Sequence, residues 1–178
     1  MLSDHSRKNR LDVRAAVPCD AHGIYRTYVT AIHGLAAKYT PDQIDAWIRG
    51  GAIQQFKRAI TTGRAQMFVA VIGDRVVGFS SLVENHVADV YVRPRYAHQG
   101  VGSKLLRAVE ELAERSGCRR LRLEATRNSV GFYKARGFVK KGSTTRVLNR
   151  HVVMTGVLKR GQVMVEKKTP LVRFQFKI

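Results

Sequence analysis

The chain has 178 residues, 44% of them hydrophobic, and sets 32 Lys and Arg against 13 Asp and Glu, a formal net charge of +19. That length suits one domain spanning residues 1–178 with a real core, and the apolar fraction excludes a disordered tail or a fibre. Apolar runs such as Met67-Phe68-Val69-Ala70-Val71-Ile72 are too short for a membrane span, which needs about 20 residues, so no membrane partner is expected.

Met1 to Asp12 is polar and lacks the apolar centre of an export signal, which points to the cytoplasm. Val13 to Val17 reads as a first strand, broken by Pro18, and Asp20 is placed to cap a helix running to about Lys38. Thr40-Pro41-Asp42-Gln43 predicts a second helix start, with Thr40 as cap, Pro41 at the first position and Gln43 closing a capping box. A short helix follows from Gln54 to Thr62 and stops at Gly63. Gln66 to Ile72 and Val76 to Val83 form a hairpin about Gly73-Asp74-Arg75, and Ala88 to Arg93 is a further strand ended by Pro94. Between Gly102 and Gly117, Leu105, Leu106, Val109, Leu112 and Ala113 recur at helical spacing. Arg120 to Ala125 alternates as a half-buried strand, Asn128 to Arg136 is a short helix ended by Gly137, and strands return from Phe138. This order predicts a mixed α+β fold, a sheet with helices on its faces. Cys19 and Cys118 lie far apart and suit a reducing compartment; no Cys/His cluster has metal-ligand spacing.

Chemistry concentrates in the segment from Val90 to Ser103, where a strand passes to a helix through Gln99-Gly100-Val101-Gly102. Glycines let the backbone approach a bulky anion, and the first free N–H groups of a helix, with its dipole, suit a pyrophosphate. No Gly-Lys-Ser/Thr follows, so this is not a Walker loop, and the third glycine of a dinucleotide fingerprint is absent. Some 25 residues on stands Asn128-Ser129-Val130-Gly131-Phe132-Tyr133-Lys134-Ala135-Arg136-Gly137-Phe138.

Together these segments resemble the coenzyme A motifs of the GCN5-related N-acetyltransferases (GNAT): a strand ending in V-x-P, a Q/R-x-x-G-x-G/A turn, then N-x-x-x-x-F-Y-x-x-x-G-F. The resemblance covers roughly Val13 to Lys159 and implies the acyltransferase fold, a central, mostly antiparallel sheet with helices on both faces. It implies acetyl-coenzyme A as donor, with no metal, and direct transfer to a primary amine of a small-molecule or protein acceptor. Backbone groups of Val90 and Val92 would pair with the pantetheine arm. Those of His98, Gln99, Gly100, Val101, Gly102 and Ser103 would hold the pyrophosphate. Asn128 would lie by the pantetheine, and Tyr133 near the sulfur as general acid toward the leaving thiolate. Ala97 stands where the family has Gln or Arg, so a side-chain contact to phosphate is lost or moved to His98, Gln99 or Arg95. His86 occupies the strand position where related enzymes carry a base. Glu84 and Asp89 are its rivals, and strand alternation puts Glu84 on the His86 face and Asp89 on the other.

Tyr39-Thr40-Pro41-Asp42-Gln43-Ile44-Asp45-Ala46-Trp47 looks like a stretch found in a bacterial subfamily, so His33, Tyr39 and Trp47 are candidates for shaping the acceptor cleft. Trp47 and Ile44 equally suit an anchor between helix and sheet. From Lys134 to Ile178, twelve basic residues face one acid, Glu166. Such a field draws polyanions, and a solvated basic surface accounts for it as well. The basic tail 161–178 suits an extra strand, a homodimer contact or no role. Two other readings stay open: transfer to a nucleic-acid-bound amine such as an aminoacyl-tRNA, and a non-catalytic module binding coenzyme A or nucleic acid.

Overall fold

The computed structural model describes residues 10–146 and 149–157. Strands β1 (Leu11–Ala15), β2 (Gln66–Ile72), β3 (Arg75–Val83), β4 (His86–Val92), β5 (Arg120–Ala125), β6 (Val139–Arg146) and β7 (Asn149–Val157) join in one sheet ordered β1-β2-β3-β4-β5-β7-β6. Every neighbouring pair is antiparallel except β4 with β5. The helices are α1 (Ala21–His33), α2 (Pro41–Arg49), α3 (Ile53–Thr62), α4 (Val101–Arg115) and α5 (Val130–Lys134). The mixed α+β architecture, with helices on both faces of a mostly antiparallel sheet, is the one expected.

Each face has its own core, because each strand sends alternate side chains to opposite sides. Ile24, Tyr28 and Ile32 of α1 and Ile44 of α2 pack with Val69, Val76 and Phe79 on one side, backed by Phe56 of α3. On the other, α4 lays Leu106, Val109 and Ala113 against Leu82, Val87, Leu121 and Leu123, where Tyr133 and Phe138 join them. The buried Ser80 of β3 has a protein partner: its hydroxyl donates to the Leu105 carbonyl at 3.2 Å.

Several local expectations shift, with β4 starting at His86 instead of Ala88 and α5 spanning Val130–Lys134 instead of Asn128 to Arg136. The first strand lies at Leu11–Ala15 instead of Val13 to Val17, since Pro18 heads a single 3-10 turn (Pro18–Asp20). Asp20 gives α1 no side-chain cap. Its carboxylate instead accepts from both Arg14 nitrogens at 2.7 and 2.9 Å and from the Val17 N–H at 2.8 Å. Helix α1 ends at His33, well short of Lys38, where Gly34 lies so close to Pro94 that an added Cβ would sit 2.5 Å from its ring. The α2 start forms as its residues dictate: the Thr40 hydroxyl accepts from the Gln43 N–H, and the Thr40 N–H donates to the Gln43 side chain at 3.0 Å.

Candidate active site

Strands β4 and β5 pair only through His86 with Arg122 and Val87 with Leu123. Beyond that point β4 stays on β3, with Val90 opposite Ser80 and Val92 opposite Gly78, while β5 follows β7. The sheet therefore forks. The Arg93 N–H donates to the Val77 carbonyl at 2.9 Å, which turns the backbone of Arg93, and of Tyr91 two residues before, toward β3. By alternation the N–H and C=O groups of Val90 and Val92 point into the fork. An extended ligand arm lying there can add as one more strand.

At the wide end of the fork stands the N-terminus of α4. The Lys104 N–H is bonded to the Gly100 carbonyl at 3.0 Å, and the N–H groups of Val101, Gly102 and Ser103 precede it, in the turn where a helix has no acceptor of its own. His98 and Gly100 carry positive φ angles of 60° and 80°, which curl the turn around this end. A Cβ on Gly100 would meet nothing within 4 Å, whereas one on Gly102 would press the Phe132 ring at 3.3 Å and face Val92 at 3.7 Å. Gly100 thus borders open space, and Gly102 lets the helix approach α5. Peptide N–H groups, a helix dipole and an open glycine fit a pyrophosphate, and the fork fits the arm that would follow it.

Side chains around this cradle are distributed unlike the family motif. The Gln99 amide is turned back to the Arg95 carbonyl at 2.9 Å, and Arg95 lies 5.8 Å from the Tyr96 ring centre. His98 is exposed. The guanidinium at this place is Arg136, which the sequence reading did not single out. It stacks 3.9 Å over the Phe132 ring, donates to the Phe132 carbonyl at 2.9 Å and binds the Ser103 hydroxyl in the first turn of α4. Its only sequence signal is the spacing of four from Phe132.

At the closed end of the fork the titratable groups gather. Tyr133 is 7% exposed, its ring edge-on to Phe132 and Phe138. Burial first, then the charge of Asp89, push its phenol far above the ordinary range against a smaller pull from Arg136. It therefore carries its proton at neutral pH. Asp89 stands two residues past the last β4–β5 pair, half-buried, and accepts from the Ser81 hydroxyl. Burial raises its carboxyl, with the Ser81 bond opposing.

The alternation argument for the base fails at a bulge. Ser81 faces Asp89 but Leu82 faces Val87, so Ala88 is an extra residue in β4. His86, opposite Val83, and Asp89, opposite Ser81, consequently share the α1–α3 face. Glu84 lies outside the strands, exposed in the β3–β4 turn with φ 55°.

The α2 segment closes this face with aromatic rings. The Trp47 Nε1–H donates to the Tyr91 hydroxyl at 3.1 Å, the Tyr28 hydroxyl donates to the Trp47 carbonyl at 2.6 Å, and the Tyr39 and Trp47 rings meet edge-on at 5.7 Å. The Tyr39 hydroxyl reaches the Asn128 side chain at 3.1 Å, tying α2 to the loop between β5 and α5. Ile44 is the buried anchor of this stretch. His33 is exposed at the end of α1. Among the described residues no group of His, Cys, Asp and Glu could hold a metal, and no helix is long and apolar enough to cross a membrane.

Residues 35–156 match the model of the Acetyltransferase (GNAT) domain. The chain is 30% identical over 100 residues to the N-acetyltransferase YafP of Escherichia coli (strain K12), covering 56% of this chain and 65% of that one. It is 40% identical over 55 residues to the thialysine N-epsilon-acetyltransferase of Bos taurus, 29% of this chain and 32% of that one. It thus spans less than two thirds of the length of these curated relatives. Among solved structures, a GCN5-related N-acetyltransferase from Rhodopseudomonas palustris superposes with a TM-score of 0.77 at 29% identity, covering 85% of this chain and 98% of that one. The PaiA N-acetyltransferase of Thermoplasma acidophilum, in complex with coenzyme A, shares the fold with a TM-score of 0.72 at 22% identity over 83% and 99% of the two chains.

Proposed function

Since the chain belongs to the GNAT acetyltransferase family, we propose that it is an N-acetyltransferase that takes acetyl from acetyl-coenzyme A and passes it directly to a primary amine. One observation carries this reading: the α4 N-terminus, the open backbone edge of Val90 and Val92, and the Tyr133 phenol follow one another along a single fork. Acetyl-coenzyme A supplies an activated thioester. The Val101, Gly102 and Ser103 N–H groups bind its pyrophosphate, with His98, Gln99 and Gly100 shaping the turn. Val90 and Val92 align the arm so that its reactive end reaches the closed end of the fork. Asn128, already held by Tyr39, borders the arm there. Tyr133 holds its proton on the phenol oxygen and donates it where a thiolate develops. His86, on the same face as Asp89, takes the proton that the attacking amine must lose.

The acceptor is a small molecule or a protein side chain. The net charge of +19 favours a second reading for it, an amine carried on a nucleic acid such as an aminoacyl-tRNA. The basic tail 161–178 lies outside the described residues.

Thermal unfolding with and without acetyl-coenzyme A tests the donor site. Saturating ligand should raise stability by about 2.7 kcal/mol at a hundredfold excess over Kd, and Gly102→Leu, which drives a side chain into Phe132, should abolish the shift. Tyr133→Phe should keep the shift and lower thiol release with an accepted amine by about a hundredfold or more. Absence of any shift at millimolar ligand overturns the donor assignment. A shift with activity untouched in Tyr133→Phe removes the phenol from the chemistry.

A further inference from the structure

A chain with so large a positive charge leaves one carboxylate at its fork without a cation. Elsewhere Arg14 pairs with Asp20 and Arg107 with Glu111. Asp89 has a hydroxyl partner, Ser81, and no positive group bears on its carboxyl. A carboxylate sunk among protein atoms with a single neutral donor is costly, and it is relieved when a cation arrives.

The surroundings say what shape of cation. Asp89 sits just past the crotch of the fork, where Val87 and Leu123 make the last β4–β5 pair. Its charge is felt by the phenols of Tyr28, Tyr91 and Tyr133, which come from α1, β4 and α5. Next to Tyr91 stands Trp47, and next to Trp47 stands Tyr39, both half-buried and so partly open. Aromatic faces attract an ammonium and accept the apolar stem behind it. The donor arm enters from the opposite, wide end, so the second substrate meets its reactive end here.

We infer that the acceptor binds as its ammonium, the cation against Asp89 and its apolar stem along Tyr39, Trp47 and Tyr91, which makes the substrate class a cationic alkyl or arylalkyl primary amine. The net charge of +19 does not oppose this at contact range. Surface charges farther away than about 8 Å are screened at physiological salt, whereas a partly buried pair is not. Asp89 is the specificity-determining group, and His86 on the same face receives the proton before attack.

The inference rests on the acetyltransferase reading, and the two can fail separately, because Trp47 is the sole tryptophan and reports on the acceptor end without any donor present. Its fluorescence is titrated with 1,6-diaminohexane and with benzylamine, each beside its alcohol counterpart, 1,6-hexanediol or benzyl alcohol. At least one amine is expected to bind in the millimolar range or tighter, its alcohol at least tenfold more weakly, with Asp89→Asn removing that preference. The thermal shift by acetyl-coenzyme A, retained in Asp89→Asn, shows that the variant is folded with its donor site intact. Should that variant not fold, the wild-type comparison of amine with alcohol still decides. Equal binding of amine and alcohol, no amine bound at millimolar concentration, or an Asp89→Asn variant with undiminished preference each overturns the inference.

Discussion

Asp20 and Asp89 show one residue type driven in opposite directions by its neighbours. At Asp20 burial works to raise the carboxyl, but the Arg14 hydrogen bonds and the Val17 N–H outweigh it and hold it below its ordinary value. Its stabilisation is present above the unfolded value, about 3.9, and is lost as pH falls through the folded one. At Asp89 burial wins, so the folded chain holds that proton more tightly than the unfolded chain. Stability must then fall as pH rises from the unfolded value through the folded one, and the penalty persists at neutral pH. Asp89→Asn is therefore expected to melt higher than wild type at pH 7, and the difference should vanish below about pH 3.9, where Asp89 is protonated in both states. Melting curves of the two proteins across that range check it; a lower Tm for the variant at pH 7 would mean that the Ser81 bond outweighs desolvation.

Helix α4 combines two tasks that its sequence separates cleanly. Val101, Leu105, Leu106, Val109 and Ala113 fall on one buried stripe that fixes the helix to the sheet. Its first turn is thereby held rigid, with spare N–H groups facing the wide end of the fork. Arg136 adds positive charge there, fixed by Phe132 and Ser103, where Ala97 contributes none. Arg136→Ala is expected to weaken acetyl-coenzyme A binding by about tenfold, the scale of one charge-assisted contact. Isothermal titration measures it, and a change under twofold would reduce Arg136 to a support for the Phe132 ring. Family motifs pointed to the glycines and to Tyr133, because they lie in one short stretch each. Arg136 escaped notice because its partner Ser103 is 33 residues away and the bond exists only once α4 and α5 lie side by side.

Across the whole molecule the charge is the largest unspent feature. If the acceptor is carried on tRNA, binding should be tight at low salt and fall by about 10³ to 10⁵ between 50 and 200 mM. Filter binding of total tRNA over that range measures the slope. A flat or absent slope assigns the +19 charge to a solvated surface and leaves free amines as the acceptors.

What the chain's order of residues determined alone was local: β2 and β5 at the expected bounds, the α2 cap, the α4 stripe, and glycine stops at Gly63, Gly117 and Gly137, all with positive φ. Each depends on neighbours within a few positions. Alternation along β4 is equally local, and it misplaced Asp89 relative to His86 because the extra residue at Ala88 is defined only by register with β3. The fork, the Arg136 contact, the aromatic wall and the uncompensated carboxylate were decided by tertiary structure. Each joins segments distant in sequence, as Tyr39 joins Asn128, and long-range pairing is set by the packing of the whole sheet instead of by any window of residues.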